Sequence, residues 1–208
     1  MPQPDYLELA DYRRNVRALY AETMSRSGTL QEIWNAYRRS RDELFKSHPQ
    51  SALTAEQKQR FKGLTYYDYQ PSLRFTVSPE RTTPEVIEIP LETDGLTRLL
   101  RFARVRFTIQ GKEQKLSLFW VMGYGGGLFL PFRDGTNGKE TYGGGRYLLD
   151  TIKGVDLGLE GVDLVLDFNY AFNPSCAYDA RWQCPLAPPE NSLTMPIRAG
   201  ELDYPDTV

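Results

Sequence analysis

The sequence predicts an α+β protein, in which an N-terminal helical segment packs against a mainly antiparallel β-barrel or β-sandwich. Two observations lead to this prediction. Up to residue 63, apolar residues recur at the three- and four-residue spacings of amphipathic helices. Beyond residue 63, the chain consists of short β-prone runs joined by turns, which is typical of antiparallel sheets.

The helical segment carries its own start and stop signals. Thr29 and Glu32 have the spacing of a capping box, in which the threonine side chain accepts from the Glu32 amide and the glutamate reaches back. This helix should end before His48, because the residue that precedes a proline disfavours the helical conformation. Thr54 and Gln57 repeat the box. The apolar stripe after Glu32 consists of Ile33, Trp34, Tyr37, Leu44 and Phe45.

The β-rich part alternates between polar and apolar residues in some runs and is apolar throughout in others. Residues 103–109 alternate, which predicts a half-buried strand. Residues 115–122 are apolar on both faces, as in a central strand. The predicted strands are residues 73–77, 86–91, 103–109, 115–122, 127–132, 146–151 and 162–170.

The length of 208 residues predicts one compact domain overall. Helices occupy residues 1–63, and residues 64–208 form a β-rich body with a long, irregular C-terminal loop. Basic residues cluster twice, and we interpret each cluster as the solvated face of a helix or a strand. The clusters are Arg38, Arg39 and Arg41, and then Arg98, Arg101, Arg104 and Arg106.

The charge balance and the hydropathy pattern exclude several classes of partner. The 25 basic and 27 acidic residues give a net charge of −2, so we expect no nucleic-acid partner. No apolar run reaches the ~18 residues of a transmembrane helix, so we expect no membrane span. The N-terminus lacks the apolar region of a signal peptide, which predicts a cytoplasmic protein.

Glycine is concentrated in one region: nine of the 17 glycines lie between Gly123 and Gly145. Runs of glycine permit positive φ and expose successive backbone N–H groups, which can form a nest for an anion. They equally serve as bulges and tight corners of a sheet. The spacing of a P-loop or of a dinucleotide-binding motif is absent, so we expect no nucleotide cofactor. Arg146 follows the last glycine, and its guanidinium offers paired donors to a carboxylate or phosphate.

The last predicted strand carries polar residues on one face. Asp167 and Asn169 share that face by alternation, and they line a polar pocket if it points inward. Asn173 stands before Pro174, where asparagine commonly initiates a turn.

The sequence contains few residues that could serve in catalysis. The candidates are Cys176 as a nucleophile, His48 as its base, and Asp167. The only other cysteine is Cys184, and the two can be thiols, a disulfide or part of a site. A single histidine and this cysteine spacing predict no metal site and no cofactor. Without His48, catalysis would need a carboxylate pair from the pool of Asp134, Asp150, Asp167, Glu190 and Glu201.

Three segments carry a resemblance to a known family. FLPFRDGTNGKETYGGGRYL, DFNYAFNPSCAYDARWQCPLAPPENSL and the late IRAGE together resemble a bacterial and archaeal family of unknown function, over nearly the whole chain. The resemblance implies a helical front and a β body, and it implies no particular activity. Its polar signature falls on Asp134, Thr136, Thr141, Tyr142, Arg146, Asp167, Asn169, Asn173, Cys176, Tyr178, Cys184, Asn191 and Glu201.

Three functions fit these residues. The first is a pocket in the β body for a small polar or anionic molecule, lined by Asp134, Thr136, Tyr142, Arg146, Asp167, Asn169, Asn173 and Tyr178. The second is a hydrolase that uses the same pocket. The third is a structural or interaction protein, for which a homodimer is one arrangement. Its contact surface would be an exposed stripe of Trp34, Tyr37 and Phe45. If Arg146 points to a cavity that it shares with Asp167 and Asn169, it marks a binding site. If it points to a buried carboxylate, it forms a structural ion pair.

Overall fold

The computed structural model describes residues 5–91 and 95–205. They form an α+β protein, as predicted, with the helices first and the strands after them. The helices are α1 (Tyr6–Ser25), α2 (Leu30–Ser47) and α3 (Ala55–Arg60). The strands are β1 (Arg74–Val77), β2 (Glu80–Pro90), β3 (Leu96–Ile109), β4 (Lys112–Val121), β5 (Gly127–Phe132), β6 (Arg146–Asp150), β7 (Leu159–Glu160) and β8 (Asp163–Asp167).

The helix boundaries follow the local capping signals. Both predicted capping boxes are confirmed: Thr29 accepts from the Glu32 amide at the start of α2, and Thr54 accepts from the Gln57 amide at the start of α3. Helix α2 ends at Ser47, before His48, as the following proline requires. None of the described helices combines the length and the apolar character that a bilayer-spanning helix needs.

The strands form two antiparallel sheets, which confirms the sandwich alternative. The large sheet has the order β2-β3-β4-β5-β6, so every neighbour in the sheet is also a neighbour in sequence. The small sheet has the order β1-β8-β7. The strands that the structure describes do not close into a barrel, because β1 pairs with β8 and not with β2.

Two apolar clusters hold these layers together. One lies between the sheets, where the ring centroids of Phe75 and Phe107 are 5.0 Å apart. The other lies between the helices and the opposite face of the large sheet. Strand β4 contributes Leu118 to the first cluster and Phe119 to the second. Its apolar residues on both faces therefore mark a central strand, as predicted.

The basic clusters are only partly solvated. Arg98 and Arg106 on β3 are exposed and pair with the β2 glutamates Glu88 and Glu80, which agrees with a solvated strand face. The prediction for Arg41 is wrong. Its side chain is buried, because the aromatic face of α2 turns it inward to a buried carboxylate.

The last strand is shorter than the sequence predicts. Strand β8 ends at Asp167, and residues Phe168–Tyr170 form a 3-10 turn. The Asp167 side chain accepts a hydrogen bond from the Asn169 amide and so caps this turn. Such local bonds compete with strand pairing, which is why the alternating pattern does not continue as a strand.

Candidate functional site

The glycine-rich stretch before β6 is a tight corner that directs Arg146 into the core. Gly145 has φ +95°, and a Cβ there would lie 2.6 Å from the Phe132 carbonyl oxygen, so glycine is required. Arg146 is fully buried and pairs with Asp134 at 2.9 Å. Its guanidinium also donates to the backbone carbonyls of Ile197, Ala199 and Glu201. Arg146 therefore points to a buried carboxylate and not to a pocket that it shares with Asp167.

The carboxylate of Asp134 accepts several hydrogen bonds from neighbouring residues. Its Oδ1 accepts from the backbone N–H and the hydroxyl of Thr136, at 2.8 and 2.7 Å, and from the Ile197 amide at 3.1 Å. The Thr136 hydroxyl in turn bonds that of Thr141 at 2.8 Å. These residues, which we call the Arg146 cluster, join the glycine corner to the C-terminal segment. Asp134 and Thr136 thus have their hydrogen-bond partners within the fold, as do both terminal nitrogens of Arg146.

A second buried cluster surrounds Glu201, which is 1% exposed. Its Oε1 accepts from Arg41 Nε at 2.7 Å and from the Tyr66 hydroxyl at 3.2 Å. Its Oε2 accepts from the Asn173 amide at 2.7 Å and from the Tyr178 hydroxyl at 2.6 Å. Burial raises the pKa of Tyr178, and the adjacent Glu201 charge raises it further. This Glu201 cluster ties α2 to the C-terminal segment and uses the predicted ligand residues Asn173 and Tyr178 for that purpose.

His48 and Cys176 have separate surroundings. His48 Nε2 lies 3.3 Å from Asp11 Oδ2, and its ring packs edge-on against Tyr12 of α1. Cys176 lies in the irregular segment after β8, with its sulfur 3.6 Å from the Tyr142 hydroxyl. The His48 ring thus contacts α1, whereas the Cys176 sulfur contacts Tyr142 of the glycine corner.

The remaining predicted residues, Asp167 and Asn169, lie at the end of β8 beside an open cavity of about 290 Å³. We call this cavity the Asp167 groove. It lies between the facing ends of α1 and α2 and the small sheet. Its polar lining consists of Thr23, Arg74, Glu160, Asp167 and Tyr170. Its apolar lining consists of Met24, Leu30, Ile33, Leu157, Leu159 and Val165.

The two carboxylate oxygens of Asp167 differ in their hydrogen bonds to the described part of the chain. Oδ1 accepts from the Asn169 backbone N–H at 2.9 Å and from its side-chain amide at 2.7 Å. Asn169 is itself fixed by both backbone groups of Gln70. Within residues 5–91 and 95–205, Oδ2 accepts no hydrogen bond, and Arg74 Nε lies 3.8 Å away. Asn169 therefore positions Asp167 and leaves Oδ2 available.

The pKa of Asp167 is raised to about 6. Burial is the main cause, since the carboxylate is taken out of water. The hydrogen bonds from Asn169 and the charge of Arg74 oppose this shift without cancelling it. A buried carboxyl with a raised pKa beside a cavity is a common feature of functional sites.

Arg74 lies between two carboxylates. It forms a close ion pair with Glu160, which also accepts from the Thr76 hydroxyl at 2.9 Å. These hydrogen bonds, that of Arg74 first, lower the pKa of Glu160. At neutral pH, Arg74, Glu160 and Asp167 therefore carry a net charge of −1.

The rim of the groove is apolar and exposed. Met24 is 53% exposed, Leu30 47% and Leu159 62%. They come from three different elements, so the fold assembles a patch that no single stretch of sequence contains. Arg74 and Glu160 were likewise missed by sequence reasoning, because they are 86 residues apart and meet only through the pairing of β1 and β7 with β8.

Comparison with known proteins places the chain in a family. A search of curated proteins gives no match. An uncharacterized protein of Haloarcula marismortui, known from a solution NMR structure, is 35% identical. The match covers 81% of this chain and 91% of that chain, with a TM-score of 0.58. Residues 59–202 match the profile of DUF1684, a protein family of unknown function. The chain therefore belongs to the DUF1684 family.

Proposed function

We propose that this protein binds a small polar molecule in the Asp167 groove. The observation that carries the proposal is the carboxylate of Asp167, which is 3% exposed and lines the groove. Asn169 satisfies Oδ1, whereas Oδ2 accepts no hydrogen bond from the described part of the chain. Burial of this carboxylate is unfavourable for its charged form, and a donor on a bound molecule would stabilise that form.

The lining of the groove supports a particular class of molecule. Its apolar side chains would contact an apolar body, and Asp167 would accept from a hydroxyl or amino group. The net charge of −1 from Arg74, Glu160 and Asp167 favours a neutral or cationic molecule over an anion. A volume of about 290 Å³ suits a small ligand.

The anionic alternative depended on Arg146, and the geometry gives it little support. Both terminal nitrogens of that guanidinium donate to Asp134 or to backbone carbonyls inside the core. An incoming carboxylate or phosphate would have to displace these partners. The Asp167 groove is therefore the better location for a ligand.

The two other functions have weaker support. The hydrolase alternative needs a base near Cys176, but both ring nitrogens of His48 have other partners, Asp11 at Nε2 and the Gln50 amide at Nδ1. Glu201 and Asp134 are each engaged in the fold by several donors. The interaction alternative rested on Trp34, Tyr37 and Phe45, which are each 2% exposed.

Three probes with one apolar body test the proposal. Cyclohexylmethylamine, cyclohexylmethanol and cyclohexanecarboxylate would be titrated into the protein at pH 7.5 and followed by amide NMR shifts. We expect the amine to bind most tightly, then the alcohol, then the carboxylate. A charge-assisted hydrogen bond contributes about 1.5–3 kcal/mol, so Asp167→Asn should weaken amine binding roughly 10- to 100-fold.

The matched control is Asp163→Asn. Asp163 is on the same strand and accepts from Ser78, outside the groove lining. This variant should bind the amine as the wild type does. Equal affinity for amine and carboxylate, or no change on Asp167→Asn, would contradict the proposal, as would the absence of shifts at groove residues with all three probes.

A further inference from the structure

The irregular segment after β8 brings Cys176 and Cys184 together. They are not joined by a disulfide, and the Cys176 side chain is hydrogen-bonded to the Cys184 sulfur. The backbone N–H groups of Ser175 and Cys176 are directed at the same sulfur. Cys176 is half-buried, whereas Cys184 is 9% exposed. Cys176 is thus the more exposed residue of the pair.

The surroundings of the pair favour a thiolate. Donation from Cys176 is the main effect that lowers the pKa of Cys184, to about 6. Burial opposes it, while the positive charge of Lys153 and the two backbone N–H groups reinforce it. The lysine side chain is 37% exposed and also pairs with Asp150 at 3.2 Å. Thiolates stabilised in this way are the nucleophiles of disulfide exchange.

The local fold is compatible with a bridge. A disulfide needs the two sulfurs to approach from hydrogen-bond distance to about 2.05 Å. Cys176 lies in the three-residue 3-10 turn Ser175–Ala177, and Cys184 lies in a stretch without regular structure. Neither cysteine is held in a sheet ladder, so no strand pairing opposes the approach of the two sulfurs.

We propose that Cys176 and Cys184 form a redox-active dithiol that exchanges with low-molecular-weight disulfides. The site is separate from the Asp167 groove and does not depend on the function proposed for it. Tyr142 joins it to the glycine corner, since its hydroxyl lies 3.6 Å from Cys176 Sγ.

The reaction has two exchange steps. The Cys176 sulfur attacks R–S–S–R and passes its proton to the Cys184 thiolate, so the Cys176–S–S–R bond forms and RS⁻ leaves. RS⁻ then takes that proton from Cys184 and becomes RSH. The Cys184 thiolate attacks Cys176 Sγ, which forms the Cys176–Cys184 bond and releases a second RS⁻. The protein pair is oxidised by two electrons, and the small disulfide is reduced to one thiol and one thiolate.

The test uses the full chain and oxidised glutathione. After acid quenching, intact mass spectrometry should show the loss of two hydrogen atoms, and iodoacetamide should alkylate neither cysteine until dithiothreitol is added. Two alkylated cysteines, a stable glutathione adduct of the wild type, or a disulfide-linked chain dimer would each overturn the proposal. This measurement needs no variant.

The pH dependence supplies a second readout. Between pH 7 and pH 8 the oxidation rate should rise by less than about twofold, because the pair is already ionised. An ordinary thiol with a pKa of about 8.5 would react roughly eightfold faster over the same interval. An eightfold rise would overturn the assignment of a preformed thiolate.

Two variants locate the attacking sulfur. Cys184→Ser lacks the thiolate that takes the Cys176 proton, so glutathione should add to Cys176 more slowly than the wild type is oxidised. On prolonged incubation the adduct should accumulate, because no second thiol resolves it. Ser175→Ala keeps the backbone N–H and both thiols, so it should react at the wild-type rate. Failure of Cys184→Ser to form the adduct, with its amide NMR spectrum intact, would contradict attack by Cys176.

Discussion

At the scale of single residues, three buried carboxylates differ in what satisfies them. Asp134 accepts from Thr136, Ile197 and Arg146, and Glu201 accepts from four donors. Asp167 accepts from Asn169 on one oxygen, and its other oxygen lies 3.8 Å from Arg74 Nε. The first two carboxylates are therefore elements of the fold, whereas Asp167 has acceptor capacity that the described protein does not use.

Glu201→Gln should strongly destabilise the protein. The change leaves the guanidinium of Arg41, which is 4% exposed, buried without its countercharge. Loss of one partner of a buried pair costs about 3–5 kcal/mol. Urea denaturation measures this, and Glu140→Gln is the control, because its Arg198 partner is 60% exposed and such surface pairs contribute under about 1 kcal/mol. Similar losses for the two variants would show that the Glu201 cluster is not a structural hub.

The sequence could not show whether Arg146 points to a ligand pocket or to a buried carboxylate. The glycines before it predicted a corner, and that depends only on local backbone geometry. Its partners are Asp134 and carbonyls of the C-terminal segment, which reach it only through tertiary packing. Asp167 and Asn169 were predicted beside a pocket from strand alternation, whereas Arg74 and Glu160 carry no local signal.

At the scale of elements, features set by neighbouring residues in the sequence were predictable, whereas features set by pairing between distant segments were not. One capping box and the proline after His48 define α2 within the sequence itself. The two-residue strand β7 was missed, because only its pairing with β8 makes it a strand. For the same reason, the division of the strands into sheets of five and three distinguishes sandwich from barrel only in the folded chain.

Thr29→Ala tests the contribution of the capping box. The Thr29 side chain accepts from the Glu32 amide, and Glu32 Oε2 accepts from the Thr29 amide at 2.9 Å. Loss of such a cap costs about 1 kcal/mol. Thermal or urea unfolding should show this loss, whereas Ser27→Ala, at an exposed position before the cap, should be neutral. Equal effects of the two changes would mean that the cap does not stabilise α2.

At the scale of the whole molecule, the Asp167 groove arises where three parts of the fold meet. The ends of α1 and α2 supply Met24, Leu30 and Ile33, and the small sheet supplies Arg74 and Asp167. The family match over residues 59–202 includes Arg74 and Asp167 and not these two helices. On the function that we propose, Asp167 is maintained for binding at the expense of stability.

The stability cost of the Asp167 carboxylate depends on pH, because the pKa of Asp167 is raised in the folded protein. The folded protein retains the Asp167 proton up to about pH 6, whereas an unfolded aspartate releases it near 3.9. Between these values the folded state binds more protons, so this group's contribution to stability falls as pH rises. A difference of about two pKa units corresponds to roughly 3 kcal/mol.

The most direct test is the unfolding free energy of wild type and Asp167→Asn in urea between pH 4 and pH 8. Asparagine can still accept from Asn169 and carries no buried charge, and Arg74 keeps Glu160 as its partner. We predict that the variant is more stable than wild type by about 1–3 kcal/mol above pH 7, and that this advantage disappears toward pH 4. A variant less stable than wild type at pH 7, as expected for Glu201→Gln, would contradict the claim and make Asp167 a structural carboxylate.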